Sequence, residues 1–402
     1  MKIEKMNTWP SFSNFEAKEI SKVLLSNKVN YWTGSKVRDF EQEFAKKTNT
    51  KYAVALFNGT VALDLALRAV GIEPGDEVVV TPRTYVASVS CIVNLGATPV
   101  FSDVDYISGN ITAKEIRKVI TKKTKAIICV HLAGWPCDMD PIMELAKEKF
   151  LKVIEDCSQA HGSKYKGRSV GSIGHIGTWS FCQDKIITTG GEGGMVTTND
   201  KKSWEKMWSF KDHGKNILLE SKKYKFNNST FNYVHDSFGT NYRMLEIQAV
   251  IGLYQLSLLE KWINIRTRNA RILSDELLSL TGIDGPIFIP TTDFLYNLNK
   301  NRHAFYKFYI YLNPSFLKSK YDRSIIIMKL NELGVQCSVG TCPEVYLEKA
   351  FDSTVFKPNK RLKVAKEIGE KSIMFQVHPS LSAATVRKTG KVINNTIEKY
   401  KK

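Results

Sequence analysis

A single lysine, Lys185, stands where a reactive group would be expected. The stretch TWSFCQDKIITTGGEGG places Lys185 shortly after Ser180 and just before a cluster of four glycines. A lysine held near cationic or apolar groups loses its proton more readily and becomes a nucleophile toward a carbonyl. The glycines would let backbone pass close to this lysine and to its ligand. Because they follow the lysine, and no Gly-Lys-Ser/Thr ends the loop, the stretch is not a nucleotide P-loop.

Two further polar clusters follow apolar runs. In FNGTVALDLALRAVG a strand pattern ends, and Gly59 and Thr60 begin a helix whose N-terminal amides can bind a phosphate. In VIEDCSQAHG an apolar run ends at Asp156, with Gln159 just beyond, and a carboxylate in a closed site needs a positive partner such as a protonated pyridine nitrogen. Taken singly, the patterns also fit a capped turn or a solvated lysine. Together they describe one ligand with a phosphate, a ring nitrogen and an aldehyde, which is pyridoxal 5'-phosphate (PLP).

The elements that must position these residues alternate between strands and helices up to about Leu245. Apolar runs such as KYAVALF, DEVVV and KAIICV are separated by helical patterns, which is typical of a mainly parallel sheet with helices on both faces. Beyond Leu245 a long helical pattern leads into a smaller α+β unit. We therefore expect an α/β fold with a large domain at 1–255 and a small C-terminal domain at 256–402. Ligands of such sheets gather beyond the carboxyl ends of the strands, which would bring the three clusters together.

Composition and charge exclude several classes of protein. No apolar run predicts a signal peptide or a bilayer span, so we expect a cytoplasmic protein without a membrane partner. The seven cysteines are scattered without a CxxC pair, which favours a reduced setting without disulfides or a metal site. The net charge of +18 is dispersed and no nucleic-acid module is present. We expect no nucleic-acid partner, and the charge suits an anionic small substrate.

Several separated motifs occur in an order that points to one family. They are NGTVALDLALRAVGIEPGDEVVVTPRTYVASV, GATPVFSDVD, VIEDCSQAHGSKYKGRSVGSIGHIGTWSF, QDKIITTGGEGGMVTTND and FGTNYRMLEIQAVIGLYQL. This order resembles the DegT/DnrJ-type nucleotide-sugar aminotransferases, which include the perosamine synthetases and have fold type I of the PLP enzymes. The likeness extends from NYWTGSKVRDFE near the start of the chain to HPSLS near its end.

The resemblance implies roles for four residues around the cofactor ring. Lys185 would form a Schiff base with the cofactor and shuttle a proton between cofactor and substrate. Asp156 would keep the pyridine nitrogen protonated, so that the ring acts as an electron sink. Gln159 would hydrogen-bond the phenolic oxygen, and Tyr85 would stack on the ring face.

The phosphate would be held by residues from two subunits. The resemblance places Gly59, Thr60 and Ser180 at the cofactor phosphate, and Asn241 of the neighbouring subunit would reach the same phosphate. The active enzyme would then be a homodimer with its sites at the interface. The N-terminal segment 1–45 would help form the substrate site.

The resemblance also implies the reaction. L-glutamate would convert PLP to pyridoxamine phosphate and leave as 2-oxoglutarate, and a keto-sugar on a nucleoside diphosphate would then take the amine. In relatives the keto group is more often at C4 than at C3, and the product serves surface polysaccharide or glycan assembly. Relatives that dehydrate a keto-sugar carry His where this chain has Lys185, which favours amino transfer.

Other functions stay open on the sequence alone. They are amination at C3, another PLP reaction such as dehydration or amino-acid transamination, and a non-catalytic regulatory role. An amino-acid enzyme of this fold generally needs an arginine for the substrate carboxylate in the small domain. The late arginines stand in no recognisable motif, among them Arg302, Arg323, Arg361 and Arg387. The sequence does not specify the nucleotide.

One segment departs from the family pattern. GVQCSVGTCPEVYLEKAF carries Cys337, Cys342 and Glu344, and we expect it near the entrance for the sugar or nucleotide. We expect Cys182 to be a packing residue despite its closeness in sequence to Lys185. Structural roles are also expected for three histidines in or near the motifs, namely His161, His175 and His213.

Overall fold

Two sheets of different size organise the chain in the computed structural model. The described residues are 2–3, 6–221, 223, 225–227, 229–282, 285–296, 301–318 and 322–402. The strands up to the end of the first sheet are β1 (Tyr52–Leu56), β2 (Glu77–Val80), β3 (Thr98–Phe101), β4 (Thr124–Val130), β5 (Lys152–Asp156), β6 (Lys164–Tyr165), β7 (Arg168–Ser169), β8 (Ile176–Ser180) and β9 (Gly194–Thr198). Strands β6 and β7 form a separate antiparallel pair.

The other seven strands form one sheet in the order β1-β9-β8-β5-β4-β2-β3. Strand β9 is antiparallel to both its neighbours, and the remaining pairs are parallel. Six strands therefore run in one direction, and their carboxyl ends lie along one edge. This arrangement confirms the predicted mainly parallel mixed sheet.

Helices cover both faces of this sheet. The helices up to the second sheet are α1 (Asn14–Leu25), α2 (Lys36–Thr48), α3 (Gly59–Ala69), α4 (Ala87–Asn94), α5 (Ala113–Arg117), α6 (Met139–Glu148), α7 (Lys201–Lys211) and α8 (Glu246–Leu277). Val78 and Val80 of β2 join the core that contains α3 and α4, whereas Val79 between them joins the core that contains α6. The alternation of strand side chains thus buries both faces, which explains the continuous Val/Ile runs.

The second sheet has four antiparallel strands in the order β10-β11-β13-β12. The strands of this sheet and the helices between and after them are β10 (Ile287–Phe288), α9 (Thr292–Tyr296), β11 (Phe308–Leu312), α10 (Arg323–Glu332), β12 (Cys337–Ser338), α11 (Lys363–Lys371), β13 (Ser372–Phe375) and α12 (Ala383–Tyr400). Short 3-10 helices occur at Leu132–Gly134, Ile217–Leu219, Leu278–Leu280, Pro314–Phe316, Val345–Leu347 and Lys349–Phe351.

The long helix α8 links the two sheets. Ala270, Leu273 and Leu277 near its end pack into the core of the second sheet, together with α10 and α12. The helix runs through the predicted domain boundary between residues 255 and 256, and that boundary stays a prediction. Among the described residues, no helix combines the length and the apolar character needed to cross a membrane.

Candidate active site

A cavity of about 580 Å³ lies beyond the carboxyl ends of the parallel strands. Residues that follow β1, β2, β5 and β8 line it, because these strands run in the same direction and end at the same edge. The predicted site residues that line it are Gly59, Thr60, Tyr85, Asp156, Gln159, Ser180 and Lys185. The structure thus brings together the three polar clusters that the sequence separates.

The first part of the cavity is a close contact between Gly59 and Ser180. Gly59 begins α3, and the preceding Asn58 caps the helix by accepting a hydrogen bond from Val61 N at 3.0 Å. A Cβ atom on Gly59 would lie only 2.5 Å from the Cβ of Ser180. Glycine therefore allows the N-terminus of α3 to meet the end of β8, and the free amides of α3 and the Ser180 hydroxyl form a cradle that fits a phosphate.

Asp156 supplies a buried carboxylate at the end of β5. It is only 5% exposed, and its oxygens accept hydrogen bonds from Ser88 Oγ at 2.8 Å and Ser158 N at 3.1 Å. Within the described part of the chain it has no salt bridge. A buried carboxylate without a cation is costly, and a protonated ring nitrogen in the cavity would be its missing partner.

Gln159 and Tyr85 line the same cavity as Asp156. Gln159 Oε1 accepts a hydrogen bond from Ala133 N at 2.8 Å, which fixes the amide so that Nε2 is the group left to donate. Tyr85 lines the same cavity and is 69% exposed. Their predicted contacts with a phenolic oxygen and with the ring face stay predictions.

The loop between β8 and β9 carries Lys185 into the cavity. Its Nζ lies 5.2 Å from the centre of the Tyr306 ring. Its backbone N–H donates to Cys182 O at 3.1 Å, and its carbonyl accepts from Trp9 Nε1 at 2.7 Å. The lysine is therefore held at its backbone, and the N-terminal segment contacts the loop that carries it.

A buried polar network lies beside Asp156. His131, Glu155 and Cys157 have potential ligand atoms within 4.8 Å of one another, as in a metal site. The Glu155 carboxylate, however, already contacts His131 Nε2 at 3.0 Å and accepts three backbone hydrogen bonds, from the amides of Gly171, Ile173 and Gly174. Because its oxygens are occupied, we assign this network to holding the end of β5 rather than to binding a metal.

The expectation that Cys182 packs in the core is wrong. It is partly exposed and lines the cavity. Side chains alternate beyond the end of β8, so Phe181 enters the core while Cys182 lies on the side of Ser180. Side chains that alternate between the two faces along GTWSFC would have predicted that Cys182 lies on the side of Ser180.

The cavity also has residues that the sequence analysis missed. Ser88 lies on α4, and Asp184 precedes the lysine. Tyr306 and Lys307 come from the strand-like segment HAFYKFYIYL, whose placement against the first sheet cannot be read from its pattern. Side chains on the far wall therefore come from the segment that leads into β11 of the second sheet.

Only part of the segment that departs from the family pattern lines the cavity. Gly340, Thr341 and Cys342 line it. Glu344 is buried outside the cavity instead, and its carboxylate accepts hydrogen bonds from Tyr346 and from the exposed Arg361.

Asn241 does not line the cavity of its own chain. It is exposed, and its Oδ1 accepts a hydrogen bond from Arg243 N at 3.3 Å. Its predicted contact with the phosphate of a partner subunit stays a prediction.

Comparison with known proteins decides the family. The DegT/DnrJ/EryC1/StrS aminotransferase family model matches residues 10–394. The chain belongs to this family. A GDP-perosamine synthase of Escherichia coli O157:H7 is 44% identical to this family member over 278 residues, which are 68% of this chain and 71% of that protein.

Solved structures of aminotransferases agree with the fold. One from Psychrobacter cryohalolentis is 52% identical, with a TM-score of 0.95 over 98% of this chain and 100% of its own. An aminotransferase from Streptococcus pneumoniae, solved in its PLP form, is 25% identical, with a TM-score of 0.84 over 97% of both chains. This DegT/DnrJ/EryC1/StrS family member is thus an aminotransferase with fold type I of the PLP enzymes, and PLP is its cofactor.

Proposed function

We propose that this aminotransferase moves the amino group of L-glutamate to the 4-keto position of a hexose carried on a nucleoside diphosphate. The donor leaves as 2-oxoglutarate, and the product is a nucleotide-linked 4-amino sugar for a surface polysaccharide. Similarity to a GDP-perosamine synthase supports a sugar acceptor and makes GDP the first nucleotide to test.

One observation carries the proposal: Lys185, Asp156 and the contact between Gly59 and Ser180 meet in one cavity. Its volume of about 580 Å³ lies within the roughly 300–1,000 Å³ that small-molecule sites occupy. The net charge of +18 supports an acceptor with a diphosphate, because a positive field attracts such an anion.

Each of the cavity residues would have a separate role in the reaction. Bound PLP supplies an aldehyde that accepts the amino group and a ring that withdraws electrons from the carbon beside the nitrogen. Lys185 would hold that aldehyde and then carry a proton to or from the substrate carbon. Asp156 would hold the proton on the ring nitrogen, while the N-terminus of α3 and Ser180 would hold the phosphate.

We further propose that the protein works as a cytoplasmic homodimer. Phe231 and Phe238, in the segment before Asn241, are 76% and 101% exposed, and exposed aromatic groups of this kind are typical of interaction surfaces. Free cysteines at all seven positions support a reducing compartment.

The acceptor is tested with the holoenzyme, L-glutamate and a panel of 4-keto and 3-keto sugars on GDP, UDP and dTDP. Mass spectrometry of the sugar product and an assay of 2-oxoglutarate should show equal formation of both with a 4-keto sugar. Amination of only the 3-keto sugars would move the reaction to C3. Release of 2-oxoglutarate without amination of any sugar would overturn the proposed acceptor class.

A further inference from the structure

A second lysine, Lys307, lines the same cavity as Lys185. It directly precedes β11, and its side chain is 14% exposed. Its Nζ donates a hydrogen bond to Gln376 Oε1 at 3.1 Å and lies 4.7 Å from the centre of the Tyr306 ring. Because Lys185 Nζ lies 5.2 Å from that same ring, the two amino groups approach one side chain from different parts of the fold.

Among the described residues, the partners of Lys307 leave its ammonium group incompletely paired. An ammonium has three donors, of which Gln376 takes one. The nearest carboxylate oxygen, Asp184 Oδ2, is 4.0 Å away, which is beyond hydrogen-bond length, and this oxygen already accepts from the Tyr306 hydroxyl. Lys307 therefore has donor capacity for a ligand that enters the cavity.

The electrostatics agree with this geometry. Burial lowers the pKa of Lys307 to about 8, the charge of Asp184 acts to raise it, and the charges of Arg266 and Lys185 act to lower it further. An anion bound at Nζ would favour the charged form of Lys307 and so act against burial and the charges of Arg266 and Lys185.

Within one chain, the described part of the cavity lining offers few cations for such an anion. Among the described residues that line the cavity, the cationic side chains are Lys185 and Lys307, and Lys185 is needed for the cofactor aldehyde. Three of the four late arginines considered from the sequence are engaged elsewhere: Arg302 with Glu260, Arg323 with the carbonyl of Gly369, and Arg361 with Glu344. The fourth, Arg387, does not line the cavity. The same cavity contains three acidic side chains, namely Asp156, Asp184 and Glu192.

We propose that Lys307 binds the α-carboxylate of the amino donor and thereby takes the place of the arginine that the sequence does not provide. A carboxylate that enters a cavity with three acidic groups needs a cation, and Lys307 is placed to supply it. The inference rests on the proposed amino-acid donor. The diphosphate of the sugar nucleotide has similar anionic chemistry, so the test separates the two ligands.

The test uses the holoenzyme and only the first half-reaction, which contains no sugar. L-glutamate is titrated against wild type, Lys307→Met and Lys307→Gln while the absorbance of the cofactor is followed. The loss of one charge-assisted hydrogen bond should raise the half-saturating glutamate concentration by about 10- to 100-fold. Lys307→Arg should restore much of the loss, and Lys371→Met, a lysine outside the cavity, should match wild type.

A binding measurement supplies a second readout. Calorimetric titration of each holoenzyme with glutarate, a dicarboxylate that cannot react, should show the same loss of affinity for Lys307→Met and Lys307→Gln. Unchanged glutamate saturation and glutarate affinity in both variants would overturn the proposal. A change confined to the KM for the nucleotide sugar would also overturn it and assign Lys307 to the diphosphate.

The same two readouts separate this proposal from the proposed function. If wild-type cofactor responds to no amino acid, the proposed donor fails. Glutarate titration would then still show whether Lys307 binds carboxylates: an affinity that depends on Lys307 supports such binding, and one that does not overturns it.

Discussion

Ser88 Oγ donates a hydrogen bond to Asp156 Oδ2 at 2.8 Å, and thereby ties α4 to the carboxylate at the end of β5. Both groups are buried, so this bond helps to fix the orientation of the carboxylate. Binding of the cofactor ring should therefore depend on α4 as well as on β5.

Asp156→Asn should slow the glutamate half-reaction on the order of 100-fold, because a neutral amide does not hold the proton on the ring nitrogen. Ser88→Ala should have a smaller effect, a loss of PLP affinity of about 10-fold from one hydrogen bond to a charged group. Spectroscopic titration with PLP and stopped-flow kinetics measure the two effects. Ser90→Ala on the same helix serves as the control, and equal losses in both serine variants would contradict the role of Ser88.

Gly59→Ala should disrupt the phosphate cradle. The new Cβ would lie 2.5 Å from Ser180 Cβ, and such overpacking costs about 1–3 kcal/mol. We expect a lower Tm of the apoprotein and weaker PLP binding. Gly59→Ala combined with Ser180→Gly removes the contact with Ser180 Cβ and leaves only the 3.0 Å contact with the Cα of residue 180, so it should recover part of the Tm while PLP binding stays weak. If the double variant has the Tm of the single one, the close contact is not the cause.

Asn241 should act on the active site of the partner subunit. Lys185→Ala and Asn241→Asp chains are each expected to form nearly inactive homodimers. When the two are coexpressed and mixed dimers are purified, one site per dimer receives both an intact Lys185 and an intact Asn241. Activity should therefore reappear in the mixed dimers. If the mixed dimers are as inactive as the parents, Asn241 does not act on the active site of the partner subunit.

His161 should make the apoprotein sensitive to acid. Burial lowers its pKa to about 3, and the charges of Lys185 and Arg266 act in the same direction. An unfolded histidine has a pKa of about 6.5, so below that pH the unfolded chain binds the proton first. The contribution of His161 to stability is present above pH 6.5 and is lost as the pH falls toward 3.

His161→Phe should remove this dependence while keeping an aromatic ring between Trp179 and Phe181. Between pH 6.5 and pH 5 the wild-type apoprotein should lose about 2 kcal/mol more stability than the variant, at 1.36 kcal/mol per pH unit. The Tm measured across this range checks the difference. His235→Phe, at an exposed position, is the control, and parallel Tm curves for wild type and His161→Phe would contradict the expectation.

Several cavity residues that could be predicted from the sequence lie at strand ends. Gly59, Asp156 and Ser180 follow or end apolar runs, and a parallel sheet must bring such ends to one edge. The family resemblance places Gly59 and Ser180 at one phosphate, but local patterns do not predict their direct contact, because it depends on the strand order β1-β9-β8.

The wall from the second sheet was missed for a similar reason. Tyr306 and Lys307 directly precede β11 in an apolar, aromatic segment that fits any buried strand, and only the tertiary packing of this segment places them at the cavity. Cys182 could have been predicted from the alternation that follows Ser180, and the packing role expected for it was an error of inference.

The central claim is that Lys185 holds PLP for amino transfer, and an absorption spectrum tests it most directly. Wild-type protein reconstituted with PLP should show a visible band that L-glutamate bleaches, and Lys185→Ala should lack the lysine-dependent band. The same spectrum for wild type and Lys185→Ala, or a wild-type band that glutamate and other amino donors leave unchanged, would contradict the account.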